Sequence, residues 1–166
     1  MRVTSRAATR PARARWGARC VGLGLTTALA VGISAGPAAA ASVDPVLVAG
    51  NPSLSCPAGA VGFRIDPPVN TTEPVTVGGE SGTVVVTFHT GLTLVDFDTT
   101  GNLAIRQVTV KGGPNANRYI YNAASTPTSF PDGIAADTDL VSPTNPGGQI
   151  PTISHVDFCV IPGNGS

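Results

Sequence analysis

The fold is decided by the stretch Ile153-Ser-His-Val-Asp-Phe-Cys-Val160, in which apolar and polar residues largely alternate. Successive side chains of a β-strand point to opposite faces, so this alternation predicts a strand. Its core face would carry Val156, Phe158 and Val160. The opposite face would carry polar side chains, which indicates a strand with one side turned toward a hydrophobic core.

Other stretches of the chain carry the same strand signal. Thr83-Val-Val-Val-Thr-Phe-His89 is rich in β-branched residues, and Val84, Val86 and Phe88 would face one side. Turn markers made of Gly and Pro separate this stretch from its neighbours. Further strands are predicted at residues 61–66, 92–97, 104–111 and 118–122, with a short one near 138–141.

These patterns predict an all-β protein with a single antiparallel β-sandwich, either immunoglobulin-like or jelly-roll-like. The sandwich domain is predicted to span residues 53–162. Residues 42–52 are predicted to form a flexible N-terminal segment, and residues 163–166 a disordered tail. Residues 123–151 are predicted to be rich in loops, and loops of this length tend to be functional or mobile.

Residues 1–41 have the three-part organisation of a secretory signal peptide. Arginines without any acid precede the apolar run 21–33, and Gly36-Pro-Ala-Ala-Ala-Ala41 offers small residues to a peptidase. The alternative is a retained membrane anchor, but a spanning helix needs roughly 18–20 apolar residues, more than this run supplies. We therefore predict a signal peptide helix that is cleaved, and a secreted product that is free or loosely associated with the cell wall.

Removal of this leader changes the charge of the remaining chain. The whole chain has ten basic and ten acidic residues. The part after residue 41 keeps only Arg64, Arg106, Lys111 and Arg118 but all the acids, which gives a net charge of about −6. Such a domain lacks the basic surface that nucleic acids and anionic membranes require. We expect no nucleic-acid partner and no membrane span after cleavage.

The cysteine count also becomes even without the leader, because Cys20 lies within it and Cys56 and Cys159 lie outside it. Two cysteines in an oxidising compartment most simply pair, so a Cys56–Cys159 disulfide is predicted. The alternative is two free thiols. A bridge across roughly 100 residues would stabilise the fold by about 4 kcal/mol in the chain-entropy model.

Two segments resemble an uncharacterised family of small secreted proteins and surface-protein modules of Gram-positive bacteria, especially actinobacteria. The matching residues are Val110-Lys-Gly-Gly-Pro-Asn-Ala-Asn117, Tyr119, Tyr121, Asp139-Leu140, Pro143, Asn145-Pro146 and Ile153-Ser-His-Val-Asp-Phe-Cys159. The resemblance covers residues 53–162 and implies a secreted β-rich domain, which sometimes forms part of a larger surface protein. It carries over no catalytic residue.

His155 and Asp157 lie two residues apart on one strand, so their side chains share a face. With His89 and the aspartates they could form a catalytic or metal-dependent site. Catalysis would need a marked nucleophile, and the chain has no Gly-x-Ser-x-Gly elbow and no His-x-x-x-His spacing. We therefore predict a structural role, in which His155 is hydrogen-bonded to a backbone group in the preceding loop.

Two groups of aspartates raise the question of calcium. Asp96-Phe-Asp98-Thr-Thr-Gly101 fits the first half of a calcium-binding loop, although its twelfth position is Gln107 instead of glutamate. Asp137 and Asp139 belong to a second acidic group in the loop-rich segment. A turn between strands explains the first group equally well. Weak calcium binding by Asp96, Asp98, Asp137 and Asp139 stays open, and no cofactor is predicted.

Tyr119 and Tyr121 would share one strand face and could form a stacking platform for sugar rings, or they could be packed under the long loop. The favoured function is a non-enzymatic binding or structural module of the cell envelope. Its partner would be a cell-wall component, a glycan or a protein. The alternatives are a carbohydrate-binding domain that uses the two tyrosines, and a small secreted hydrolase or metal-dependent enzyme.

Overall fold

The structure is a computed structural model that describes residues 41–89 and 91–164. The predicted signal peptide, apart from Ala41, lies outside the described residues, and so do residues 165 and 166 of the predicted tail. The described residues form nine strands and no helix. The strands are β1 (Val46–Ala49), β2 (Val61–Ile65), β3 (Thr71–Val77), β4 (Glu80–Phe88), β5 (Leu94–Thr99), β6 (Leu103–Gly112), β7 (Asn115–Ile120), β8 (Ala136–Val141) and β9 (Ile153–Pro162).

The strands form two antiparallel sheets that share one core, which confirms the predicted β-sandwich. One sheet has five strands in the order β1-β7-β6-β9-β2, and the other has four in the order β3-β4-β5-β8. Every strand pairing is antiparallel. The two longest strands, β6 and β9, lie side by side inside the five-stranded sheet. Within residues 41–89 and 91–164 no helix is long and apolar enough to cross a membrane.

The core lies between the sheets and is built from the alternate residues that the sequence pattern predicted. Val84 and Val86 of β4 and Val156, Phe158 and Val160 of β9 are all at most 1% exposed. Phe158 is the aromatic centre of this core: its ring is 5.1 Å from that of a phenylalanine on β2 and 5.8 Å from that of one on β5. The second of these contacts joins the two sheets and so helps to fix how they pack on each other.

The outer face of β6 and β9 is covered in part by residues 52–56. The amide Nε2 of Gln107 donates to the carbonyl of Ser55 at 3.0 Å, and the predicted disulfide joins Cys56 to Cys159. A Cβ atom at Gly62 would lie 2.7 Å from Cys56 Sγ, so glycine is required where the segment passes over β2. The disulfide therefore closes the chain and also holds this segment, which we call the clamp (residues 52–56), on the sheet.

Three parts of the chain differ from the sequence expectation. The prediction of a flexible segment at residues 42–52 is wrong, because β1 lies within it and pairs with β7 over four residues. Just before β1, Val43 is only 2% exposed. The strand β3 was not predicted, since Pro74 and Glu73 interrupt its apolar pattern; as an edge strand it tolerates a proline. In the predicted tail, the backbone N–H of Gly163 donates to the backbone carbonyl of Asn102 at 2.8 Å, so the first residue of this segment is hydrogen-bonded to the domain.

Loss of the disulfide should loosen the clamp and destabilise the whole domain. We expect replacement of Cys56 and Cys159 by serine to lower the free energy of unfolding by about 2–5 kcal/mol, because the unfolded chain is no longer constrained. Urea unfolding of the variant and of the wild type measures the difference. Wild-type protein in reducing agent should match the variant. Equal stability of the oxidised wild type and the variant would contradict this role.

Candidate functional site

The predicted tyrosine platform lies inside the core, so this prediction is wrong. Tyr119 and Tyr121 are 1% and 0% exposed, whereas a stacking platform needs open ring faces. The hydroxyl of Tyr119 donates to the carbonyl of Val141 at 3.0 Å and accepts its N–H at 2.9 Å. Burial raises the pKa of both hydroxyl groups, so they stay protonated and act as donors. These tyrosines bind the five-stranded sheet to residues of the four-stranded one.

The side chain of Asp137 accepts several hydrogen bonds at the edge of the core. It is 4% exposed, and its Oδ2 accepts the hydroxyl of Tyr121 at 2.8 Å. Its Oδ1 accepts the hydroxyl of Ser42 at 2.8 Å and the N–H of Thr138 at 2.9 Å. A buried carboxylate is tolerated only when its oxygens are hydrogen-bonded. Asp137 therefore joins the start of the described chain to β8.

The structure groups the aspartates predicted for calcium differently from the sequence, which placed Asp96 with Asp98 and Asp137 with Asp139. Asp96 and Asp98 lie on the face of β5 that points away from the core, since Val95 and Phe97 between and beside them are buried. Asp137 is paired with Phe97 and is buried on the other face. By alternation Asp137 and Asp139 would share a face, but the irregular register of β8 and the φ of +57° at Asp139 bring Asp139 to the outer face beside Asp96. Asp137 and Asp139 therefore do not form the predicted second group, whereas weak calcium binding by Asp96 and Asp98 stays a prediction.

His89, Asp96 and Asp139 come together at the outer face of the four-stranded sheet. The ring Nε2 of His89 lies 2.8 Å from Oδ2 of Asp96, whose Oδ1 accepts the backbone N–H of Asp139 at 2.8 Å. One ligand atom from each of the three side chains lies within 4.8 Å of the others. Asp139 reaches this position because β8 has an irregular register opposite Asp96 and its own φ is +57°. One imidazole and two carboxylates can ligate a divalent cation.

The structure pairs Asp157 with Arg64 and not with His155. Asp157 is 2% exposed and makes a bidentate ion pair with Arg64 on β2, with distances of 2.6 Å to Nε and 2.9 Å to Nη2. The predicted hydrogen bond of His155 to a loop backbone group is not made by Nε2, because this ring nitrogen is buried without a partner. Burial, and after it the positive charge of Arg64, lowers the pKa of His155, which favours the neutral form of the ring.

Two surface cavities lined by described residues lie away from both histidines. One of about 550 Å³ is lined by Asn102 and Asp132 among others, and one of about 460 Å³ by Arg106 and Asn122. The Nη1 of Arg106 donates to two backbone carbonyls, at 3.1 and 2.8 Å, and so is already engaged. These cavities do not bring an acid, a base and a nucleophile together, so the outer-face cluster is the candidate site of the described chain.

Comparison of the chain with protein-family models, with curated proteins and with solved structures gives no match. The resemblance to secreted Gram-positive proteins therefore stays a prediction.

Sequence reasoning named every residue of the outer-face cluster but not the cluster itself. The contact between His89 and Asp96 could have been found from the hairpin, because β4 and β5 pair and place Thr87 opposite Asp96. Asp139 gave no such signal, because an irregular register cannot be read from alternation. The roles of Asp137 and of Arg64 depend on segments that are distant in sequence.

Acid should destabilise the domain through His155. Its ring faces Arg64, Asp157, Asp66 and Lys111, and the net effect of burial and charge is a pKa below the ordinary value of 6.5. As the pH falls through 6.5, the unfolded chain takes up a proton before the folded one does. The free energy of unfolding should therefore decrease from pH 7.5 toward pH 5, by less in His155→Gln than in the wild type.

Urea unfolding at a series of pH values measures this dependence. His89→Gln is the matched control, because it also removes an imidazole but one that is exposed. If the free energy of unfolding decreased toward pH 5 more steeply in His155→Gln than in the wild type, His155 would not be the cause of the acid destabilisation.

Proposed function

We propose that the protein is an exported, non-enzymatic β-sandwich domain that serves as a binding or structural module of the cell envelope. The observation that carries this proposal is the bidentate pair between Arg64 and Asp157, which uses the carboxylate beside His155 for structure. A histidine needs a free partner and a nucleophile or water within reach to act in acid–base catalysis. The neighbouring carboxylate of Asp157 is already paired with Arg64, and the ring of His155 is buried.

Support for export comes from two independent features. The leader has the charged, apolar and small-residue order of a secretory signal. The Cys56–Cys159 bridge joins the clamp to a central strand, and such bridges persist in oxidising compartments. A secreted module of this kind would meet a cell-wall component, a glycan or a protein as its partner.

Export is tested with the full chain in a Gram-positive host. We expect the protein in the medium and in a salt wash of the cell wall, shortened by the mass of the leader. A variant that lacks the apolar residues 21–33 should stay in the cytoplasm. Full-length wild-type protein inside the cell would contradict the proposal.

The non-enzymatic role is tested on the exported protein with chromogenic esters and glycosides. We expect no turnover above that of buffer. Turnover that is lost in His155→Ala or in His89→Ala, while unfolding stays cooperative, would overturn this part of the proposal.

Divalent-cation binding is a second candidate function, favoured by the cluster of His89, Asp96 and Asp139. The His89 side chain is 42% exposed and that of Asp96 is 25% exposed, so an ion could enter from solvent. Zinc accepts both imidazole nitrogen and carboxylate oxygen as ligands, so it is the ion used in the test. The same cluster would supply the metal site of a small metal-dependent enzyme if the turnover test proved positive.

Titration of the exported protein with Zn²⁺ in a calorimeter tests this candidate. We expect one bound ion, and loss of binding by at least tenfold in Asp96→Asn. Asp98→Asn is the matched control, because Asp98 lies on the same face of β5 but outside the cluster, and it should bind as the wild type does. Equal binding by all three proteins would exclude the cluster as the site.

A further inference from the structure

Asp137 is a buried carboxylate that has no basic side chain beside it. The ion pairs among residues 41–89 and 91–164 are Arg64 with Asp157 and His89 with Asp96, and neither includes Asp137. Its hydrogen bonds come from neutral donors, namely two hydroxyl groups and backbone amides. Burial of a charged carboxylate is costly unless an opposite charge and hydrogen bonds compensate it. Among the described residues Asp137 therefore has hydrogen-bond donors but no cationic side chain as a partner.

The backbone nitrogen of Ser42 lies between both oxygens of this carboxylate. It is 2.9 Å from Oδ1 and 3.0 Å from Oδ2 of Asp137. An amide nitrogen carries a single hydrogen, which two acceptors at equal distance must share. An α-ammonium group at the same place carries three hydrogens and a positive charge, and could bond to both oxygens at once.

Ser42 is also the residue that follows the predicted leader. Ala39, Ala40 and Ala41 have the small-x-small order that a signal peptidase recognises, with the scissile bond after Ala41. Residues 38–40 have the same order and would place the cut one residue earlier. The two positions differ in chemistry, since only the later one leaves the new amine on Ser42.

We infer that cleavage after Ala41 creates the positive partner of Asp137. This inference rests on the proposed export. Water adds across the Ala41–Ser42 peptide bond: Ala41 keeps the new carboxylate, and the released amine of Ser42 takes up a proton. The resulting α-ammonium group pairs with the Asp137 carboxylate inside the mature domain. Processing therefore adds a buried ion pair that the precursor does not have.

The residues after Ser42 hold it in place without the leader. Val43 is 2% exposed and bridges to Pro127, and the N–H of Asp44 donates to the carbonyl of Thr126 at 2.6 Å. The nitrogen of Ser42 thus stays at the carboxylate once the preceding bond is cut. Removal of Ala41 costs only the contact of one partly buried methyl group with the core.

The first test is N-terminal sequencing of the protein exported by a Gram-positive host from the full chain. We expect Ser42 as the first residue. A processed protein that begins elsewhere, for example at Ala41, would overturn the inference and leave export intact. A protein that keeps its leader would overturn the proposed export as well.

The second test measures the midpoint temperature of thermal unfolding of exported variants. Mass spectrometry confirms the N-terminal residue of each variant. One glycine inserted between Ala41 and Ser42 keeps the charge but moves it away from Asp137. We expect a midpoint lower by roughly 5 °C or more, because a buried charge loses its partner. Ser42→Ala is the matched control: it removes the hydroxyl, keeps the ammonium group and should lose less.

The insertion should have little effect in an Asp137→Asn background, where no carboxylate is present to be paired. An equal loss in both backgrounds would show that the insertion acts by displacement of the chain and would overturn the ion pair. If Asp137→Asn is not recovered from the medium, the insertion and Ser42→Ala decide the question. An insertion that costs no more than Ser42→Ala would then overturn it.

Discussion

The antiparallel pairing of β6 with β9 is the constraint on which the rest of the structure depends. Both strands have ten residues, and they lie between β7 and β2 in the five-stranded sheet. Their inner faces meet the four-stranded sheet in the core, and their outer faces are covered in part by the clamp. Because they are distant in sequence, the residues between them leave the pair and return, and they supply β7 and β8 on the way.

Polar groups are buried around this pair of strands. Burial explains why most side chains that could act in catalysis or binding make hydrogen bonds or ion pairs within the fold. Asp157 and Asp137 are both nearly inaccessible to solvent, so each needs donors or a positive charge. Asp157 finds its partner in Arg64 across the β2–β9 ladder, and Asp137 finds its donors in Tyr121 and Ser42. The His89 cluster differs, because it lies on the outer face of the other sheet and stays open to solvent.

The strands that alternation predicted best are those with one face in the core. For β4 and β9 the pattern gave the strand, its face and its buried residues, since the two-residue repeat of a strand is local. The strands β1 and β3 were missed because each is an edge strand with few buried residues, and its partner decides whether it forms. At the outer-face cluster, the hairpin register makes the His89–Asp96 contact predictable, whereas the irregular register at Asp139 does not.

By itself the sequence determined that this chain forms a β-sandwich and that Cys56 and Cys159 can close it. Strand periodicity can be read from neighbouring residues, and the number of cysteines can be read from the composition. Only the tertiary structure decided what lies opposite each face. It buried Tyr119 and Tyr121 between the sheets instead of exposing them, and it placed the Ser42 nitrogen on the carboxylate of Asp137. A periodic pattern states which side chains share a face, but the segment that covers that face comes from elsewhere in the chain.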